Sequence, residues 1–145
     1  MGRSRRDGSR RLAREEADML TKSTVVTMLP VQDGSRAQRF YTEALGLHEV
    51  ASSPDGTHYF EVGGGGAIGL RVLPNTTPSE NTALSFEVAD IAAEIGELEG
   101  RGVRFQDFDS DELRTVGHIA TMEGEKAAWF TDSEGNTLCL HQPAK

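Results

Sequence analysis

With 145 residues the chain can form one domain with a real core, but is too short for two ordinary ones. Its one cysteine excludes an internal disulfide, and no apolar stretch reaches the eighteen or more residues of a membrane span. Residues 1–22 hold seven basic against four acidic side chains and residues 23–145 eight against nineteen, so the acidic body repels phosphate backbones and no nucleic-acid partner is expected.

The basic start, "MGRSRRDGSRRLAREEADMLTKS", has no apolar segment of the secretory type and too few large apolar residues to dock. Residues 1–22 are expected to be a disordered extension, with at most a short helix over 11–20. A cytoplasmic location without a membrane partner follows by default.

From residue 23 the pattern is that of short strands and two helices. Residues 24–31 are an apolar run bounded by Pro30 and Asp33, and predict a strand. "DGSRAQRFYTEALGL" places Ala37, Phe40, Tyr41, Ala44 and Leu45 at helical spacing, with Asp33 or Ser35 as N-cap and Gly46 near the stop. Strands follow at 48–52, 58–62 and 67–73, separated by Pro54-Asp55-Gly56 and by a glycine run, 63–66, that predicts a tight hairpin. That run precedes a strand instead of a helix, so it is not a phosphate cradle. "TALSFEVAD" then predicts a strand and "IAAEIGELEGRG" a helix capped by Asp90, with Ile91, Ile95 and Leu98 on one face and Gly100 or Gly102 at its end. Strands are expected at 103–108, 118–122, 127–131 and 136–142, with a polar acidic loop near 109–112.

The second half repeats the first. Asp33 matches Asp90, Gly46 matches Gly102, and "GGAIGLR" (65–71) matches "GNTLCLH" (135–141). Two βαβββ modules, about 23–74 and 82–142, give an α+β fold in which a pseudo-twofold, cupped mixed sheet carries its helices outside.

The run "TVVTMLPVQDGSRAQRFYTEALGL", its echo "TALSFEVADIAAEIGELEGRGVRF" and the ending "AAWFTDSEGNTLCLH" resemble the glyoxalase, bleomycin-resistance and extradiol-dioxygenase group, the vicinal oxygen chelate superfamily. The likeness spans about residues 23–142 and implies a single domain of that type. It leaves the function open, because the group contains lyases, isomerases, dioxygenases, antibiotic-modifying transferases and drug-binding proteins. It also implies a homodimer, in which open sheet edges are buried.

In the metalloenzymes of this group, His and Glu from four strand positions hold a metal on the concave face. Two lie seven residues before the aspartates that open the helices, and two lie four residues after the glycines that open the closing strands. The corresponding residues are Val26, Gly69, Ala83 and Cys139. Three of these have no ligating side chain, so no metal and no other cofactor is expected.

Other residues offer alternatives. His118 and His141, with Glu61, Glu87 or Cys139, could form a relocated set suited to Fe(II) or zinc. The bland reading of each is a hydrogen-bonded strand histidine. Cys139 and His141 share a strand face about 7 Å apart, beyond direct hydrogen-bond reach unless their side chains lean together, and a small buried cysteine is the simpler reading. The acidic loop "DFDSDEL" (Asp109, Asp111, Glu112) reads as a solvated crossover.

Strand parity places Val26 and Met28, then Ala83, Ser85 and Glu87, then Gly69 and Arg71, then Cys139 and His141 on the concave side. His118, and Trp129 or Phe130, add to this lining. Arg71 could pair with a ligand carboxylate or phosphate, or equally with Glu87 or solvent. An apolar floor with sparse polar anchors suits a small organic ligand. The favoured function is therefore binding of such a molecule, in sequestration, resistance or a minor metabolic step. The alternative is a lyase, isomerase or dioxygenase with relocated ligands, or metal-free acid–base chemistry through His141 or Glu87.

Overall fold

A computed structural model describes residues 19–145. The extension expected over residues 1–22, with its short helix, therefore lies outside the described residues except for a 3-10 turn at Met19–Lys22.

The first module contains β1 (Val26–Val31), α1 (Gly34–Arg39), β2 (His48–Ser52), β3 (His58–Glu61) and β4 (Ala67–Val72). The second contains β5 (Thr82–Glu87), α2 (Ile91–Gly100), β6 (Thr115–Val116), β7 (Ile119–Met122), β8 (Glu125–Thr131) and β9 (Thr137–Gln142). Each module builds its own mixed sheet, in the orders β1-β4-β3-β2 and β5-β9-β8-β7-β6. In both, the first strand runs parallel to the last and the remaining pairs are antiparallel. The repeat is thus real in three dimensions, with β6 added at the far edge of the second sheet.

The two helices begin alike because an aspartate precedes each. Asp33 accepts a hydrogen bond from the Arg36 amide at 3.0 Å, and Asp90 from the Ala93 amide at 3.2 Å, which supplies an acceptor to one of the amides a helix start leaves unpaired. α1 then loosens into a π-helical turn, Phe40–Ala44, in which the Leu45 amide donates to the Phe40 carbonyl. Gly46 ends it in the left-handed region, φ 69°, where a side chain is disfavoured.

Two expectations need correction, over residues 103–108 and at His118. Residues 103–108 do not form a strand: Val103 and Phe105 are buried, and Phe105 makes only an isolated bridge to Phe130. Apolar side chains at alternate positions meet the core there, but towards β8 only the Gln106 amide adds a backbone bond, to the Trp129 carbonyl, so no ladder develops. The glycine run does make the expected tight hairpin between β3 and β4, closed by the Val62 amide donating to the Gly66 carbonyl, with a 3-10 turn at Gly63–Gly65 and Gly64 at φ 77°. His118 precedes its strand at φ 70° instead of lying within it.

One core serves both modules. Leu29, Val31, Ala37, Tyr41, Phe60, Ile68 and Leu70 from the first form a continuous buried cluster with Ile91, Ile95, Leu98, Ala128, Phe130, Leu138 and Leu140 from the second. Polar links cross the same junction. The Tyr41 hydroxyl donates to the Asp132 carboxylate at 2.7 Å, and the Asn136 side-chain Nδ2 donates to the Pro30 carbonyl at 3.0 Å.

Candidate functional site

The face of each sheet turned away from this core carries the candidate residues. In the first sheet, register aligns Met28, Gly69 and Tyr59 across β1, β4 and β3. Val26 lies beside Ala67, whose other neighbour is Glu61, and Pro30 lies beside Arg71. In the second sheet, Ser85, Cys139 and Trp129 form the equivalent row across β5, β9 and β8, followed by Glu87, His141 and Ala127. The pseudo-symmetry therefore sets Gly69 opposite Cys139 and Arg71 opposite His141.

Gly69 is covered by its neighbours. A Cβ there would lie 2.7 Å from Met28 Sδ and 3.0 Å from Tyr59 Cε1. The position equivalent to a metal ligand is thus taken by a thioether and a phenol ring. Across the pseudo-axis, Cys139 is 6% exposed and its thiol donates to the Leu140 carbonyl at 3.2 Å. Burial pushes that thiol up from its usual range, against smaller opposing effects of Ser85 and the Ala128 backbone. A raised, buried thiol is a poor nucleophile and a poor metal ligand. Val26 and Ala83 are exposed, and Ala83 sits where the β5–β9 register shifts. The side chains at the four positions thus do not fit the metal chemistry of the metalloenzymes this fold resembles. Among the described residues, no group of three or more His, Cys, Asp or Glu converges in a way that could hold an ion.

His141 is the most strongly engaged polar group on the open face. Its Nε2 lies 2.9 Å from Glu125 Oε1 and its Nδ1 3.4 Å from Glu87 Oε1. The two carboxylates approach opposite edges of the ring, a clamp that orients an imidazole but does not chelate a cation. Glu87 is thus directed to His141 and not to Arg71, which is exposed on the other sheet. Trp129 stands beside Phe108 in edge contact, ring centroids 5.6 Å apart. Phe130, the other candidate for an aromatic wall, is fully buried in the core.

His118 departs from the expected lining. It stacks on Phe105 and lies between Glu99 of α2, at 3.2 Å, and Asp107, at 3.0 Å. It belongs to the helix side of the second module. Among the described residues, no hydrogen bond, ion pair or ring contact joins the open face of one sheet to that of the other.

Sequence reasoning missed Tyr59, Phe108 and Glu125. Tyr59 was accessible from parity, because it alternates with the core residue Phe60 on β3. Phe108 and Glu125 had no such signal, since each is brought to its partner by a loop or a strand start.

Paired βαβββ modules with a parallel first and last strand define the vicinal oxygen chelate class of fold. The chain belongs to the Glyoxalase/Bleomycin resistance protein/Dioxygenase superfamily, whose family description matches residues 24–140. Solved structures with the same fold include a member of that superfamily from Sphaerobacter thermophilus DSM 20745, at 23% identity, covering 83% of this chain and 97% of that one with a TM-score of 0.67. TnmS3, an antibiotic binding protein from Streptomyces sp. CB03234, is 24% identical over 85% of this chain and 97% of its own, TM-score 0.66. A glyoxalase/bleomycin resistance protein from the same organism is 24% identical over 83% and 100%, TM-score 0.61. No functionally curated protein matches the chain. No helix among the described residues is long and apolar enough to cross a membrane.

Proposed function

We propose that this protein binds a small organic molecule on the open faces of its sheets without a metal. The observation that carries this reading is the occupation of the Gly69 position by Met28 and Tyr59, opposite a buried Cys139. Tyr59, Trp129 and Phe108 offer flat apolar contact, and Arg71 and the His141–Glu87–Glu125 clamp supply the polar anchors, a composition suited to a partly aromatic ligand. The fold shared with an antibiotic binding protein makes sequestration or resistance the natural role.

A second copy of the chain completes the site in this reading. β1 and β5 are the terminal strands of their sheets, and Val25, Val26 and Met28 leave apolar surface exposed along the first of these edges. Pairing through such edges removes both the unpaired backbone groups and the apolar strip from water. Sedimentation should give a dimer, and Met28→Glu should shift it toward monomer.

The deciding experiment has two arms. Elemental analysis of protein purified without a chelating tag, before and after incubation with Fe(II), Mn(II), Zn(II) and Ni(II), should give well under one metal per chain; stoichiometric metal would sink the proposal. A thermal-shift screen of aromatic metabolites and antibiotics should then find ligands whose stabilisation is lost in Arg71→Ala or His141→Ala. If both variants bind every identified ligand as well as wild type, the open face is not the site.

The clamp on His141 favours one further reading, acid–base catalysis without a metal. An imidazole held by two carboxylates can accept a proton and share the resulting charge. It predicts turnover that survives a chelator and disappears in His141→Ala.

A further inference from the structure

On the far side of β5 from the open face, a cavity of about 180 Å³ lies at the junction of the two modules. Leu45 and Leu47 reach it from the segment after α1, Phe86 and Val88 from β5 and its end, and Leu98 from α2, above a floor of Phe130 and Leu140. The floor is buried, while Leu45, Leu47, Phe86 and Val88 are half-buried, so the cavity opens at the module boundary. Leu45 and Leu47 flank Gly46, where the chain leaves the π-helical turn at the end of α1. An apolar cavity of roughly 150 Å³ is already large enough to take up a benzene ring.

Two lining residues are charged. The Glu87 carboxylate is turned to His141 on the open face. Glu94 is exposed, one turn before Leu98 on α2, and its carboxylate has neither a hydrogen bond nor an ion pair among the described residues. The cavity therefore presents an apolar interior with a single uncommitted acceptor beside it.

We propose that this junction cavity binds a small arylalkylamine: one ring in the space bounded by Leu45, Leu47, Phe86 and Phe130, with its ammonium at Glu94. The volume suits a single ring, and the uncommitted Glu94 carboxylate disfavours acids. Occupancy would bridge the two modules and so favour the folded chain. The site is separate from the open face and does not depend on the reading proposed for it.

The test is an amide-resolved NMR titration of the full chain with benzylamine, benzyl alcohol and phenylacetate. Benzylamine should give saturable shifts at Leu45, Leu47, Val88 and Leu98, and bind about threefold to fivefold tighter than benzyl alcohol, the increment of one exposed ion pair. Phenylacetate should bind more weakly than either. Glu94→Gln, a surface change that leaves the core intact, should erase the preference for the amine, and Leu47→Phe should weaken both neutral and cationic ligands by filling the entrance. Saturable shifts confined to Trp129, Cys139 and His141, an absence of shifts at the cavity, or an amine preference that survives in Glu94→Gln would each overturn the proposal.

Discussion

Gly69 has no room for a side chain, because the Met28 thioether and the Tyr59 ring meet above it. Installing a ligand there should therefore be costly, and the cost should belong to those two neighbours. Gly69→His is expected to destabilise the protein by about 1–3 kcal/mol, the usual penalty of overpacking. Part of it should be recovered in a Met28→Ala background, since the methionine end is half-exposed and flexible. Urea midpoints of the single and double variants check this; strict additivity would mean that Met28 is not the obstacle. Cys139 gives an independent readout of the same strip. Buried and with its thiol pushed up, it should react with a thiol reagent at pH 8 far more slowly in the native protein than in urea. Comparable native and unfolded rates would show that Cys139 is accessible and activated.

The turn between β8 and β9 holds the modules together, and its acidic residues are used for structure. Asp132 accepts from the amides of Glu134 and Asn136, from the Asn136 side chain and from the Tyr41 hydroxyl. Glu134, its side chain 1% exposed, accepts from the amides of Gln32 and Asp33 and from two nitrogens of Arg36. Burial pushes the Glu134 carboxyl up, yet the Arg36 guanidinium, the Asp33 amide and the Ser133 hydroxyl outweigh it and hold the group at about 2. A carboxyl depressed in the folded state contributes stability above its unfolded pKa, near 4.5, and loses that contribution as pH falls toward 2. The shift corresponds to about 3 kcal/mol. Glu134→Gln should lower stability at pH 7 by about that order and flatten the decline between pH 5 and pH 2, measured as urea midpoints across that range; an unchanged acid limb would show that the ion pair is not responsible. Gly135 lies in the same turn at φ 89°, with Pro78 Cγ 2.8 Å from where a Cβ would stand. Gly135→Ala should cost about 1–2 kcal/mol or more by equilibrium unfolding. The equivalent turn in the first module is a run of glycines and has no side chain with which to make such links.

These links and the shared core mean that neither module is complete alone, so the described residues should unfold as one unit. Trp129, the only tryptophan, reports on the second module, whereas far-UV circular dichroism reports on both. The two transitions should coincide in urea; an earlier circular dichroism transition would mean that the first module melts separately. The modular plan was legible in the chain because its signals are local. An aspartate caps each helix, apolar residues recur at helical or alternating spacing, and the same order of elements appears twice, so Asp33, Asp90 and the strand parity of Val26, Gly69, Ser85 and Cys139 could be placed without contacts. Parity failed for His118, where a left-handed residue breaks the alternation, and over 103–108, where burial without a partner strand imitates a strand's pattern. The remainder depends on distances through space between residues far apart in the chain. Arg36 and Glu134 are 98 positions apart, and Glu125 meets His141 only because β8 and β9 are in register. Likewise, the cover over Gly69 and the cavity under β5 are set by how three or four elements pack, and no linear pattern encodes that distance.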